Sequence, residues 1–153
     1  MSPKYSAMAI AKWFVAWAEA EEADLSNLKL QKLLYYSQGH YLARHHAPLF
    51  GEEVEAWAHG PVVADVYHAY KSFGSDDVRL PESDPFRWDE VDKNTTKFLM
   101  RIWNTYGGLA AWRLRNMTHE ESPWIDAFDR SSRNEVISHQ AMKAYFASHT
   151  SDD

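Results

Sequence analysis

A chain of 153 residues fits one domain, and 45% hydrophobic content with seven Trp, eight Tyr and seven Phe is enough for a core. A net charge of −6 argues against a general nucleic-acid binder, whose phosphate contacts need a basic surface. No cysteine is present, which excludes disulfides and Cys-based zinc sites.

The opening Met1-Ser2-Pro3-Lys4-Tyr5 has no leader pattern, and no apolar run is long enough to span a bilayer. The expectation is a cytoplasmic protein with no membrane partner. Six Gly and six Pro are scattered, so no linker divides the chain and residues 1–153 read as a single domain.

The first helix is expected over Ser6–Glu22, with Ile10, Trp13, Phe14 and Trp17 inward and Lys12 and Glu19 opposite. Glu19, Glu21, Glu22 and Asp24 crowd its end, where acidic groups oppose the helix dipole and favour fraying. Ser26 is a good N-cap for a second helix ending near Arg44-His45-His46. Leu30, Leu33, Leu34, Ser37 and Tyr41 share one face, and Leu28, Tyr35 and Leu42 a second. A helix apolar on two sides belongs in the middle of a fold. Only Lys32, Tyr36, Gly39 and Ala43, with Lys29, read as a water-facing slice. Gly39 in mid-helix costs about 1 kcal/mol against Ala, so it implies close approach of a neighbour.

Ala47–Gly51 turns the chain, and Val54, Ala56 and Ala58 then alternate with Glu53, Glu55 and Trp57 as a short extended segment. Trp57 falls on the side of the glutamates, as an interaction anchor or a residue under a loop. Gly60-Pro61 is read as the start of a third helix that Gly74 ends. Residues 75–90 carry turn and charge signals and form the loosest part, pinned by Phe86 and Trp88. A fourth helix spans Val91–Tyr106, with Lys93, Lys97 and Arg101 opposite its apolar face. A short helix follows over Leu109–Met117, then a helical turn at Trp124–Phe128 with Ser122 as its N-cap and Pro123 at the first helical position. A last helix begins after Ser138, and 148–153 reads as a frayed tail. The fold class is mainly α: a compact single-domain bundle of about six helices with one short extended segment or small hairpin.

Eight His invite a metal reading, yet His119-Glu120-Glu121-Ser122-Pro123 lacks the second His of metalloprotease spacing. No phosphate loop or nucleophile elbow occurs. No cofactor, metal or catalytic residue is assigned, and a binding module is the expected class.

The ordered strings Leu28-Lys29-Leu30-Gln31-Lys32-Leu33-Leu34-Tyr35-Tyr36-Ser37-Gln38-Gly39, Pro48-Leu49-Phe50, Glu55-Ala56-Trp57 and Gly60-Pro61-Val62-Val63 with Val66-Tyr67 closely resemble the Panacea domain family. Thr118-His119, Glu121 and Pro123-Trp124 resemble its C-terminal signature. The resemblance covers nearly the whole chain. It implies a mainly helical antitoxin domain of bacterial and phage toxin–antitoxin systems, related to SocA-type and GepA-like proteins. Such domains neutralise protein toxins, among them toxic small alarmone synthetases, by direct binding. SocA-type members instead deliver the toxin to a Clp-class protease.

The expected function is therefore an antitoxin that binds a cognate protein toxin. The alternatives are a proteolytic adaptor for a Clp-class protease and an enzyme that destroys the toxin's nucleotide product. The expected contact residues are Lys32, Tyr36, Trp57 and His59, with Lys93, Lys97 and Arg101 as the second patch.

Overall fold

The computed structural model describes residues 3–129 and 134–149. Its helices are α1 (Ala7–Ala20), α2 (Asn27–His45), α3 (Ala64–Tyr70), α4 (Lys93–Tyr106), α5 (Ala111–Thr118), α6 (Ser122–Ala127) and α7 (His139–His149). Three short strands, β1 (Val54–Trp57), β2 (Gly60–Val62) and β3 (Glu135–Ile137), form an antiparallel sheet in the order β2-β1-β3. The fold is mainly α, as the periodicity implies, and the extended segment is one arm of a hairpin. The third strand pairs across some 80 residues of chain and leaves too short a run, Glu135-Val136-Ile137, to be read from alternation.

Helix α2 is the centre. Ser26 caps it by accepting the Lys29 amide at 3.3 Å. It packs against α1, α3, α4, α5, α7 and β2. Leu30, Leu33, Leu34 and Tyr35 are fully buried, as two apolar sides require. Most of the supposed water-facing slice is buried too: Lys29, Lys32 and Tyr36 are 7%, 1% and 1% exposed and Gly39 is covered, while Ala43 is half-buried. β2 closes over Lys32 and α7 over Gly39. Leu28, assigned inward by spacing, is instead 39% exposed.

Gly39 does serve close approach within the fold, because the Phe146 ring of α7 occupies the space where a β-carbon would stand. Gly39→Val is expected to lower stability by about 2–3 kcal/mol, the usual cost of overpacking plus a β-branched residue. A denaturant melt measures it, and an unchanged midpoint would show that α7 shifts freely.

Gly60-Pro61 does not begin α3. Gly60 has φ +118° and, with Pro61 and Val62, pairs with β1. Proline fits there because β2 is an edge strand that needs no second ladder partner. Helix α3 starts at Ala64, and the Val63 amide just before it donates to Gln31 Oε1 at 2.9 Å. Gly74, with φ +58°, ends the following turn.

The acidic end of α1 is put to use. Glu19 Oε1 accepts the Leu80 amide at 3.3 Å, and Asp77 Oδ1 accepts the Leu25 amide at 2.9 Å. These bonds tether the start of the 75–90 loop, and Val78 is buried. Trp88 stands edge-on to Trp17 and Phe86, with centroids 6.0 and 5.2 Å apart. Asp92 caps α4 by accepting the Thr95 amide at 2.8 Å and also accepts Lys4 Nζ at 2.8 Å. Ser148 and His149 complete α7, while 150–153 of the expected tail lie outside the described residues.

Candidate functional site

Two polar groups of α2 meet the C-terminal third of the chain. In the first, the hydroxyls of Tyr35 and Tyr36 each donate to Glu121, at 2.9 Å to Oε1 and 2.9 Å to Oε2. Glu121 sits just before α6 and is 8% exposed. Burial raises its pKa to about 7, although both phenol bonds act the other way. Burial and the Glu121 charge hold both phenols far above the usual tyrosine range. Tyr106 stacks on Tyr36 with centroids 3.9 Å apart, and its hydroxyl meets His40 Nε2 at 2.7 Å. Burial pushes His40 down to about 4, so it is neutral at pH 7. Both carboxylate oxygens of Glu121 are occupied by phenols. This group holds α2 to α6.

In the second group, Lys32 lies beneath the Gly60 turn. A β-carbon on Gly60 would strike Lys32 Cε and come within 3.1 Å of Lys32 Nζ and of Thr118 Oγ1. Lys32 Nζ has only two long bonds, each 3.5 Å, to the carbonyls of Leu28 and Pro61. Burial and then the nearby Arg115 charge lower its pKa to about 7. Burial also lowers His59 and His119, and the Lys32 and Arg115 charges act on both. His59 Nδ1 and His119 Nε2 are buried with no hydrogen-bond partner. Burial and mutual repulsion favour loss of protons from all three groups, so the cluster carries less positive charge than its residue types suggest.

Half-buried aromatics surround it. Trp57 Nε1 donates to Glu55 Oε1 at 2.8 Å, which places the tryptophan on the glutamate side as alternation indicates. The Trp57 ring lies 5.0 Å from Tyr67 and 5.7 Å from His59. His119 stacks on Trp124 at 3.9 Å, and Trp124 Nε1 donates to the Trp57 carbonyl at 2.8 Å. Among the described residues no group of three or more His, Asp or Glu could hold a metal ion.

Of the contact residues expected from sequence, Lys32, Trp57 and His59 come together around this turn. Trp57 and His59 are half-buried and Lys32 is hidden below them. Tyr36 does not join them: it is buried and spent on Glu121, so it cannot serve as a surface anchor. Lys93, Lys97 and Arg101 are exposed along α4. Sequence reasoning placed Glu121 in a turn and missed its role. The available signal was a Tyr pair on a two-sided apolar helix, since buried phenols need acceptors. Gln31 and Gln38 carried the same signal. Gln38 Oε1 accepts the Leu49 amide at 2.8 Å, and its Nε2 donates to the Phe50 carbonyl at 2.8 Å.

A family model described as "Antitoxin SocA-like, Panacea domain" matches residues 30–125. The chain belongs to the SocA-like Panacea family. It is 30% identical over 127 residues to the Antitoxin SocA of Caulobacter vibrioides (strain NA1000 / CB15N), covering 77% of this chain and 68% of that protein. No solved structure matches the chain. The Panacea span begins on α2 and ends in α6, so both sides of the Tyr35–Tyr36–Glu121 seam fall inside it. The strings that carry the family likeness are therefore largely internal latches: Gln31 on Val63, Lys32 under Gly60, the tyrosines on Glu121 and Gln38 on Leu49–Phe50. Helix α7 lies outside the matched span yet packs on α2. No helix among the described residues is long and apolar enough to cross a membrane.

Proposed function

We propose that this Panacea protein neutralises a cognate protein toxin by direct binding, with Trp57 and His59 in the contact face. Membership of an antitoxin family across residues 30–125 carries the reading. A rigid frame supports it: the latched α2 fixes the β1–β2 turn, so the aromatic face is pre-organised and little entropy is lost on contact. A standard interface covers roughly 800 Å² per partner, so Trp57 and His59 are its anchor and not its whole extent. The α4 row Lys93, Lys97 and Arg101 is the second candidate patch.

Co-expression with the product of the adjacent reading frame tests this. Wild type restores growth, and Trp57→Ala weakens the complex about thirtyfold, as loss of a ~2 kcal/mol aromatic anchor does. Rescue by Trp57→Ala equal to wild type, with loss of rescue on reversing the α4 row, moves the contact to α4. Toxin that vanishes only when a Clp-class protease is present identifies an adaptor. Turnover of an alarmone by the purified protein alone identifies an enzyme.

A further inference from the structure

Charge is segregated along this chain. No Asp or Glu occurs from Leu25 to Gly51 or from Lys93 to His119, and these stretches hold eight of the sixteen Lys and Arg. They contain α2, α4 and α5, and both α4 and α5 pack on α2. A protein of net charge −6 thus concentrates positive charge on three adjoining helices.

Helix α5 presents the sharpest part of that surface. Trp112 is 66% exposed, the most exposed large apolar side chain among the described residues. Arg115, one turn on, shares its face. Arg115 Nη1 reaches only the Asn116 amide oxygen, at 3.4 Å. Neither Arg113 nor Arg115 has a salt bridge among the described residues. Behind Arg115 lie Lys32, His59 and His119, whose protonated forms burial and the Arg115 charge disfavour, so Arg115 is the fixed charge of this face. On α2, one turn before Lys32, Leu28 is exposed. Trp and Arg are the residue types that most often dominate binding energy, and an unpaired cationic face favours a partner of opposite sign.

We propose that the α5 face of Trp112 and Arg115, with Leu28 of α2, docks an acidic segment of the partner protein. Carboxylates of that segment face Arg115, and an apolar residue beside them covers Trp112. This deepens the toxin-binding reading and rests on it for the identity of the partner. The face supplies an anchor within a larger contact, because one eight-residue helix falls short of a standard interface.

The first test needs no toxin. Hexaglutamate is titrated into the 15N-labelled protein at low salt. The Trp112 indole N–H and the α5 amides are expected to shift, while the Trp88 indole stays still. The shifts should vanish in Arg115→Glu and fade at high salt. No shift, or equal movement of Trp88, overturns the proposal. So does a stronger response of the same signals to a single-stranded oligonucleotide of equal charge. The second test repeats the co-expression rescue with Trp112→Ala and Arg115→Glu, each expected to weaken the complex tenfold or more. Rescue by both at wild-type level removes the docking face and leaves the toxin reading intact. Failure of wild type to rescue, with hexaglutamate behaving as expected, removes the toxin reading and leaves an acidic-segment site.

Discussion

Glu121→Ala is expected to destabilise the fold by about 3–4 kcal/mol, measured by urea denaturation at pH 6. The substitution leaves the Tyr35 and Tyr36 hydroxyls buried without an acceptor, and each such group costs about 1–3 kcal/mol. Glu121→Gln should cost far less, since its amide oxygen still accepts a phenol. The two variants also separate in their pH dependence. The folded-state pKa of Glu121, about 7, stands above its ordinary 4.5. Its contribution to stability is therefore whole below about pH 4.5, declines as the folded protein holds a proton the unfolded chain has lost, and is gone above about 7. Glu121→Gln removes that decline. A wild-type stability that stays level between these limits would show that the carboxylate is better solvated than its burial indicates.

Lys32→Met is expected to do the opposite and stabilise the protein by about 2 kcal/mol at pH 7. Methionine fills a similar volume beneath Gly60 without a charge to desolvate. The Lys32 pKa falls from 10.5 to about 7 on folding. Above 10.5 both states carry the neutral amine. As the pH drops toward 7 the unfolded chain takes up a proton that the folded chain resists, so stability falls. One pKa unit corresponds to 1.36 kcal/mol, and the figure of about 2 allows for relaxation around the amine. The two groups act on opposite sides of neutrality. Wild type should therefore show a shallow trough near pH 7, with Glu121→Gln levelling its acid side and Lys32→Met its alkaline side. A Lys32→Met melt below the wild-type value would show that the two carbonyl contacts outweigh the burial of the amine.

Much of this architecture can be read from the residues. The caps Ser6, Ser26 and Asp92 sit at the starts of α1, α2 and α4, where their side-chain oxygens accept the third following amide. The central position of α2 follows from its two apolar sides, and the use of Gly39 follows from its missing side chain. The surface of α2 does not follow, because burial of Lys32 and Tyr36 depends on chain that returns from far away. Helical spacing shows which residues share a face and nothing about whether a distant polar partner covers it. Lys32 is covered by β2, and Tyr36 by the residue just before α6. The side on which Trp57 stands could be read because its strand is short and local, whereas His59 lies in the turn that follows. The α5 face was missed for a different reason: Trp112 lies among arginines, and its significance appears only against the acid-free runs of an acidic chain.

The seam also sets a timetable for synthesis. Tyr35 and Glu121 are 86 positions apart, and translation at about 5–20 residues per second separates their emergence by on the order of ten seconds. During that interval the two phenols are without their carboxylate acceptor. A chain that stops before Glu121 leaves the Tyr35 and Tyr36 hydroxyls without their acceptor.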